Sequence, residues 1–166
     1  MPLNVPINCC IRSLGVQDVR QITRDRAVEI FLDEYLRRPT IDKLPAPLVD
    51  TVFDMQVNAG SNAVKILQRL CTDMGFPCVD DGAIGPNTLR AVRAAAEAAP
   101  DHVRGAYGSA RRDYYLALAD RRPASRKYCV TRAGGKGGWV RRAEEFISRR
   151  YHMTDAEFQE RIAAWG

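Results

Sequence analysis

Two adjacent acids, two glycines and a proline stand before a helix-like run in CVDDGAIGPNTL, Cys78–Leu89. Carboxylates in a glycine-rich turn could hold calcium, and a glycine-rich turn before a helix could cradle phosphate, but each chemistry needs a definite spacing. An EF-hand loop needs D-x-[DN]-x-[DN]-G and a Glu six residues after the Gly. Asp80-Asp81-Gly82 has the wrong spacing, and Thr88 stands where that Glu is required. The other glycine-rich stretch, AGGKGGW at Ala133–Trp139, fails the phosphate-loop pattern. A Gly follows its Lys, and Val130 stands where the first Gly should be; it reads as a flexible loop. What remains for Asp81-Gly82-x-Ile84-Gly85-Pro86-x-Thr88 is a tight turn. It buries Ile84, launches a helix at Pro86 and is hydrogen-bonded by Thr88.

Metal chemistry has little to work with. The five cysteines include the adjacent pair Cys9 and Cys10 with Cys71, Cys78 and Cys129, no C-x-x-C occurs, and His102 and His152 are far apart. No metal and no cofactor is expected. The cysteines read as free thiols of a reducing compartment, with a Cys71–Cys78 bridge left open.

Charge is the other chemical signal. The net charge of +5 is uneven: thirteen Lys and Arg between Arg104 and Arg150 face only Asp113, Asp120, Glu144 and Glu145. Such a segment attracts polyanions or is simply a solvated helix face. No helix-turn-helix, RNP motif or zinc finger points to nucleic acid. The N-terminus lacks a basic n-region, and no apolar run approaches the ~18 residues a membrane span needs.

These groups must be positioned by helices. The 166 residues, 46% hydrophobic and 27% charged, suit one globular domain or one domain with a small appendage. No alternating run reads as a strand. Thr23 caps a helix to about Leu36, with Ala27, Ile30, Phe31 and Tyr35 at helical spacing. Pro47 begins a second over 47–59, which Gly60 ends in a left-handed conformation. Ser61 caps a third over 62–74, stopped by Gly75. This second and third pair is apolar enough for the centre of the core. Pro86 opens a fourth; Asp101 caps a fifth to about Arg121. A loop follows from Pro123 to Gly138. Trp139 opens a sixth, with Val140, Ala143, Phe146 and Ile147 inward. Thr154-Asp155-Ala156-Glu157 is a capping box for a last short helix carrying Phe158, Ile162 and Trp165.

With the elements in place, a family resemblance becomes legible. LQRL at Leu67–Leu70 followed by VDDGAIGPNTLRAV resembles the L-Q…D-G-x-x-G-x-x-T signature of peptidoglycan-binding helical modules. Upstream, LPAPLVDTVFDMQVNAGSNAVKILQRL, Leu44–Leu70, resembles the L-P-x-P-L…V-F-D-x-x-V-N-x-G…A-x-x-x-L-Q order of the secretion-activator-like phage muramidases, glycoside hydrolase family 108. DVRQITRDRAVEIFLDEY at Asp18–Tyr35 and KGGWVRRAEEFI at Lys136–Ile147 are similar to further stretches of that family. The resemblance runs to about Ile147, and the tail from Ser148 is similar to an extension in some members.

The resemblance implies an all-α, lysozyme-like helical fold, truncated at the N-terminus. A partial muramidase lobe would span 1–74, a peptidoglycan-binding portion 75–150 and a helical tail 151–166. The implied ligand is bacterial peptidoglycan, cut between N-acetylmuramic acid and N-acetylglucosamine, and the implied setting is a phage or prophage. The protein would wait in the cytoplasm until a holin-type pore released it to the wall. Implied peptidoglycan-binding residues are Gln68, Asp81, Gly82, Ile84, Gly85, Thr88 and Trp139. Tyr35, Gln56 and Asn58 would line the sugar cleft.

The family's catalytic Glu, in an E-G-G-Y motif, has no counterpart here. The first acid is Asp18, and NVPINCCIRSLG at Asn4–Gly15 is similar to the helix after that motif. Glycoside hydrolysis needs a proton donor and usually a second carboxylate, so this chain is expected to cut little or nothing. Asp54 and Glu34 are the substitutes to consider. Asp54 has a second reading, favoured here, as a core carboxylate accepting hydrogen bonds from backbone or Arg, because buried acids are paired. Asn58 has a second reading as the C-terminal cap of its own helix, and Trp139 as core. Two other functions stay open: a non-catalytic peptidoglycan-binding module, and a basic helical nucleic-acid-binding protein.

Overall fold

The computed structural model describes residues 22–165. The expectations for Asn4–Gly15, Cys9, Cys10 and Asp18 lie outside the described residues.

Thr23 caps α1, Arg24–Leu32, its Oγ1 accepting the Arg26 N–H at 3.3 Å. The helix does not continue as α to Leu36. It widens into a π turn at Asp33–Arg37, closed by the Arg38 N–H on the Asp33 carbonyl. Ile30 is buried, whereas Ala27 and Phe31 are exposed. Phe31 meets its neighbours by its ring instead, tilted against Tyr35 at 4.9 Å and edge-on to Phe53 at 5.7 Å.

α2, Ala46–Ala59, carries Pro47 in its first turn, where the missing N–H has no partner to lose. It buries Leu48, Thr51, Val52 and Met55. Gly60 ends it at φ +59° but with ψ −140°, so the expected left-handed helical cap is an extended glycine-only conformation. That reversal lets α3, Asn62–Asp73, begin within two residues. The expected Ser61 side-chain cap is not made, because Ser61 already has helical dihedrals; Asn62 instead donates to the Ala59 carbonyl. Gly75, at φ +89°, stops the chain: the N–H of Phe76 reaches back to the Cys71 carbonyl and that of Gly75 to Thr72. This is the Schellman arrangement that glycine permits.

α4, Pro86–Ala98, packs on α3. α5, Val103–Arg121, is not capped by Asp101. Its first N–H groups are taken by backbone carbonyls of the preceding turn, Val103 on Ala99 and Ala106 on His102. α5 lies against α2, α3 and α7, Gly138–Glu144. At Gly108 a side chain would stand 2.7 Å from Ile147, so the approach there requires glycine.

The expected loop 123–138 is partly helical. It holds a 3-10 turn at Pro123–Ser125 and the one-turn α6, Arg126–Cys129. AGGKGGW then forms a held turn, closed by an antiparallel bridge between Val130 and Lys136. Phe146 and Ile147 pack just past the end of α7, not within it. α8, Asp155–Ile162, has the expected capping box, and Phe158 is buried.

The described residues contain no strand, so the fold is all-α, consistent with a lysozyme-like helical arrangement. One hydrophobic cluster runs from Ile41 to Phe158, shared by helices on both sides of residue 74. Among the described residues no helix is long and apolar enough to cross a membrane.

Candidate functional site

The turn at Asp81–Thr88 is built around one buried amide. Gln68, on the inner face of α3, is fully buried. Its Nε2 donates to Asp81 Oδ1 at 2.8 Å, the Ala83 carbonyl at 3.0 Å and Thr88 Oγ1 at 3.1 Å. Its Oε1 accepts the Gly82 N–H at 2.9 Å. Asp81 Oδ1 also accepts the Ala83 N–H at 2.9 Å. That N–H, with the Gln68 amide, holds the Asp81 carboxyl below its ordinary value. Gly82 sits at φ +83°, and a side chain there would press on Lys65 and Ser61. The L-Q…D-G…T pattern is therefore a network that fixes a turn, with Gln68 and Thr88 satisfied inside it.

What the turn presents is a groove of about 610 Å³ between 75–83 and the first turns of α4. Phe76, Pro77, Val79, Ala83, Pro86, Ala91 and Ala94 make its apolar wall; Asp81, Asn87 and Arg90 supply polarity. Val79 is 74% exposed. Gly85 lines the mouth with open space where a side chain would be. Of the expected binding residues, Asp81, Gly85 and Thr88 line this groove. Gln68 and Gly82 stand behind it, and Ile84 is partly buried rather than fully.

Trp139 does not join them. Tyr115 and Tyr128 both stack on it with ring centroids 4.7 Å away. Its stacking surface is taken by protein rings, and it pins α7 to α5 and α6.

The acids are equally informative. Asp54 accepts from Arg111 at 2.6 Å and from Arg142 Nε at 2.9 Å. Burial alone would raise its carboxyl, but hydrogen bonds and charge from Arg142 and Arg111 outweigh burial and lower it. A carboxylate so held has no proton to give a leaving group. Glu34 is 12% exposed; one oxygen pairs with Arg38 at 2.8 Å and the other is buried with no hydrogen-bond partner. Gln56 Oε1 and Thr51 Oγ1 are buried in the same unpartnered way. Tyr35 lies beside Glu34 on the π turn. Asn58 does not cap its own helix: it donates to the Tyr115 hydroxyl, which in turn donates to Met55 Sδ at 3.0 Å.

Sequence reasoning missed two buried charges that organise this half. Arg111 is 1% exposed, and Glu144 is 7% exposed at its side chain. Glu144 accepts from Lys136 at 2.8 Å and from the Met153 N–H at 3.0 Å, tying the AGGKGGW turn and the tail to α7. Both were hidden within the basic segment, where their neighbours read as solvated charge. Cys71, Cys78 and Cys129 are free thiols; burial pushes Cys71 up to about 12 and Cys129 to about 11.

A larger cleft of about 1190 Å³ lies between α5 and the tail, edged by Arg104, Arg112, Phe146, Tyr151 and His152. It contains none of the expected site residues. Among the described residues no group of three or more His, Cys, Asp or Glu is placed to hold a metal.

Comparison with known families gives two matches along the chain. Residues 62–144 match the family model described as "Predicted Peptidoglycan domain", and residues 7–60 match the model of glycosyl hydrolase 108. No curated protein matches the chain.

Proposed function

Because the chain belongs to the predicted peptidoglycan domain family, and joins it to a glycosyl hydrolase 108 segment as peptidoglycan-acting muramidase-type proteins do, we propose that it holds peptidoglycan in the groove beside Gly85. The observation that carries this is the Gln68 network, which spends a fully buried side chain on fixing the turn that shapes one wall. Every lining residue of that groove, 75–94, falls inside the matched segment; the larger cleft draws on 101–112 inside it and on 146–161 beyond it. The apolar wall suits the methyl groups of alanine-rich peptide and N-acetyl substituents, while Asn87 and Arg90 offer polar contacts.

On this reading the 166-residue chain binds without cutting. Asp54 is clamped by two guanidinium groups, and Glu34 is paired with Arg38. Hydrolysis of a glycosidic bond requires a protonated acid at the leaving oxygen. The setting we propose is that of a phage-type lytic protein, held in the cytoplasm until a holin-type pore admits it to the wall.

The test is to incubate the chain with purified sacculi, sediment, and assay both fractions. The expected result is protein in the pellet, no new reducing ends in the supernatant, and weaker pelleting for Gly85→Arg, which fills the groove mouth. Released reducing ends would overturn the non-cutting reading. Pelleting indifferent to Gly85→Arg would overturn the groove.

A further inference from the structure

Residues 121–142 contain eight bases and no acid. The structure commits three of the eight. Arg126 donates to the Trp165 carbonyl at 2.8 Å, Lys136 pairs with Glu144, and Arg142 pairs with Asp54. The other five, Arg121, Arg122, Lys127, Arg132 and Arg141, are exposed, and none has an acid within ion-pair distance among the described residues. The nearest acid in sequence, Asp120, is engaged by Arg161 and by the Trp165 indole N–H at 2.6 Å. None of these five charges is therefore neutralised by an ion pair among the described residues.

The segment that carries them is held in place. The Gly137 N–H reaches the Cys129 carbonyl at 2.6 Å, Val130 bridges to Lys136, and Lys136 is anchored on Glu144. A side chain at Gly137 would stand 2.5 Å from the Cys129 backbone, so the two arms of the turn meet only because glycine is there. α6 packs on both α5 and α7.

We propose that this acid-free segment is a cationic face that docks the free carboxylates of peptidoglycan stem peptides, at a place separate from the groove. The proposal rests on the peptidoglycan reading above. Single exposed ion pairs are weak and salt-screened. Five of them become useful only against a ligand that repeats its negative charge, as a stem-peptide lattice does, because each further contact is then made at high effective concentration. The face would gather the protein onto the wall and raise its local concentration; the groove would supply the short-range fit.

The experiment compares the full chain with a variant carrying Arg121→Gln, Arg122→Gln, Lys127→Gln, Arg132→Gln and Arg141→Gln, first matched for thermal unfolding. Both are sedimented with sacculi before and after removal of phosphate polymers, and with sacculi whose carboxylates have been amidated. Salt is raised from ~0.1 M to ~1 M, shrinking the screening length from about 10 Å to about 3 Å. The expected result is about tenfold weaker low-salt binding by the variant. Amidation should cause the same loss for the parent, with no further loss for the variant, and the difference should vanish at high salt. The residual high-salt binding should depend on Gly85, and its absence would fail the groove reading rather than this one. A variant that keeps the parent's salt dependence would overturn the proposal. So would a salt-sensitive component lost with the phosphate polymers, or one directed to duplex DNA in preference to sacculi.

Discussion

Asp54 of α2 and Arg111 of α5 form an ion pair at 2.6 Å with the guanidinium 1% exposed, and Arg142 of α7 closes on the same carboxylate from the solvent side. Three helices thus meet at one carboxylate. Arg111 also lies 5.5 Å from the ring centres of Tyr115 and Phe146, so its charge is surrounded by π faces and a single anion. A buried ion pair adds little net stability compared with a well-packed apolar pair, but removing one partner strands the other charge.

Asp54→Ala should therefore cost about 3–5 kcal/mol, most of it from the unpaired Arg111. The half-exposed Arg142 contributes little to that figure. Urea unfolding measures it. Replacing both Asp54 and Arg111 by apolar residues of similar volume should recover much of the loss, and a double variant as unstable as the single one would contradict this account.

Acid should act at the same place. Because the folded-state carboxyl of Asp54 is lowered below its ordinary value of 3.8, its contribution is fully present above that value and is lost as pH falls through the lower, folded-state value. The parent chain should lose stability steeply below about pH 4. Asp54→Asn, starting lower, should show a shallower loss over the same window, read from urea midpoints at successive pH values.

Gln68→Leu removes every bond that the amide makes to the turn, leaving the Gly82 N–H without its acceptor and the Ala83 carbonyl with only the Thr88 hydroxyl at 3.3 Å. A loss of about 2–3 kcal/mol is expected, since unsatisfied buried polar groups cost about 1–3 kcal/mol each. Binding to sacculi should fall with it even below the melting temperature, because the groove wall is shaped by that turn. Normal binding by a folded Gln68→Leu protein would separate the network from recognition.

Trp139→Ala tests the opposite expectation. With two tyrosine rings stacked on it at 4.7 Å, its loss should destabilise the fold by about 3–5 kcal/mol. Peptidoglycan affinity, measured well below the melting point, should stay unchanged. A stable variant with weakened binding would return Trp139 to the ligand surface.

Much of this molecule was legible from short-range chemistry. The Thr154 capping box, Pro47 and Pro86 in first turns, and the stops at Gly60 and Gly75 are decided by backbone groups within four or five residues, and a linear sequence displays such neighbours directly. The turn before α4, and its family resemblance, were visible for the same reason. The sequence could not say which residues of that turn line the groove and which face Gln68, nor that Trp139 is stacked against Tyr115 and Tyr128. Asp54 meets Arg142 across 88 residues of chain and Asn58 meets Tyr115 across 57. Those pairings exist only once the apolar stripes of α2, α3 and α5 have been buried against one another, and burial is a property of the assembled helices. The tertiary structure alone sorted the basic segment into charges bound inside, at Arg111 and Lys136, and charges left to the solvent and whatever anion it brings.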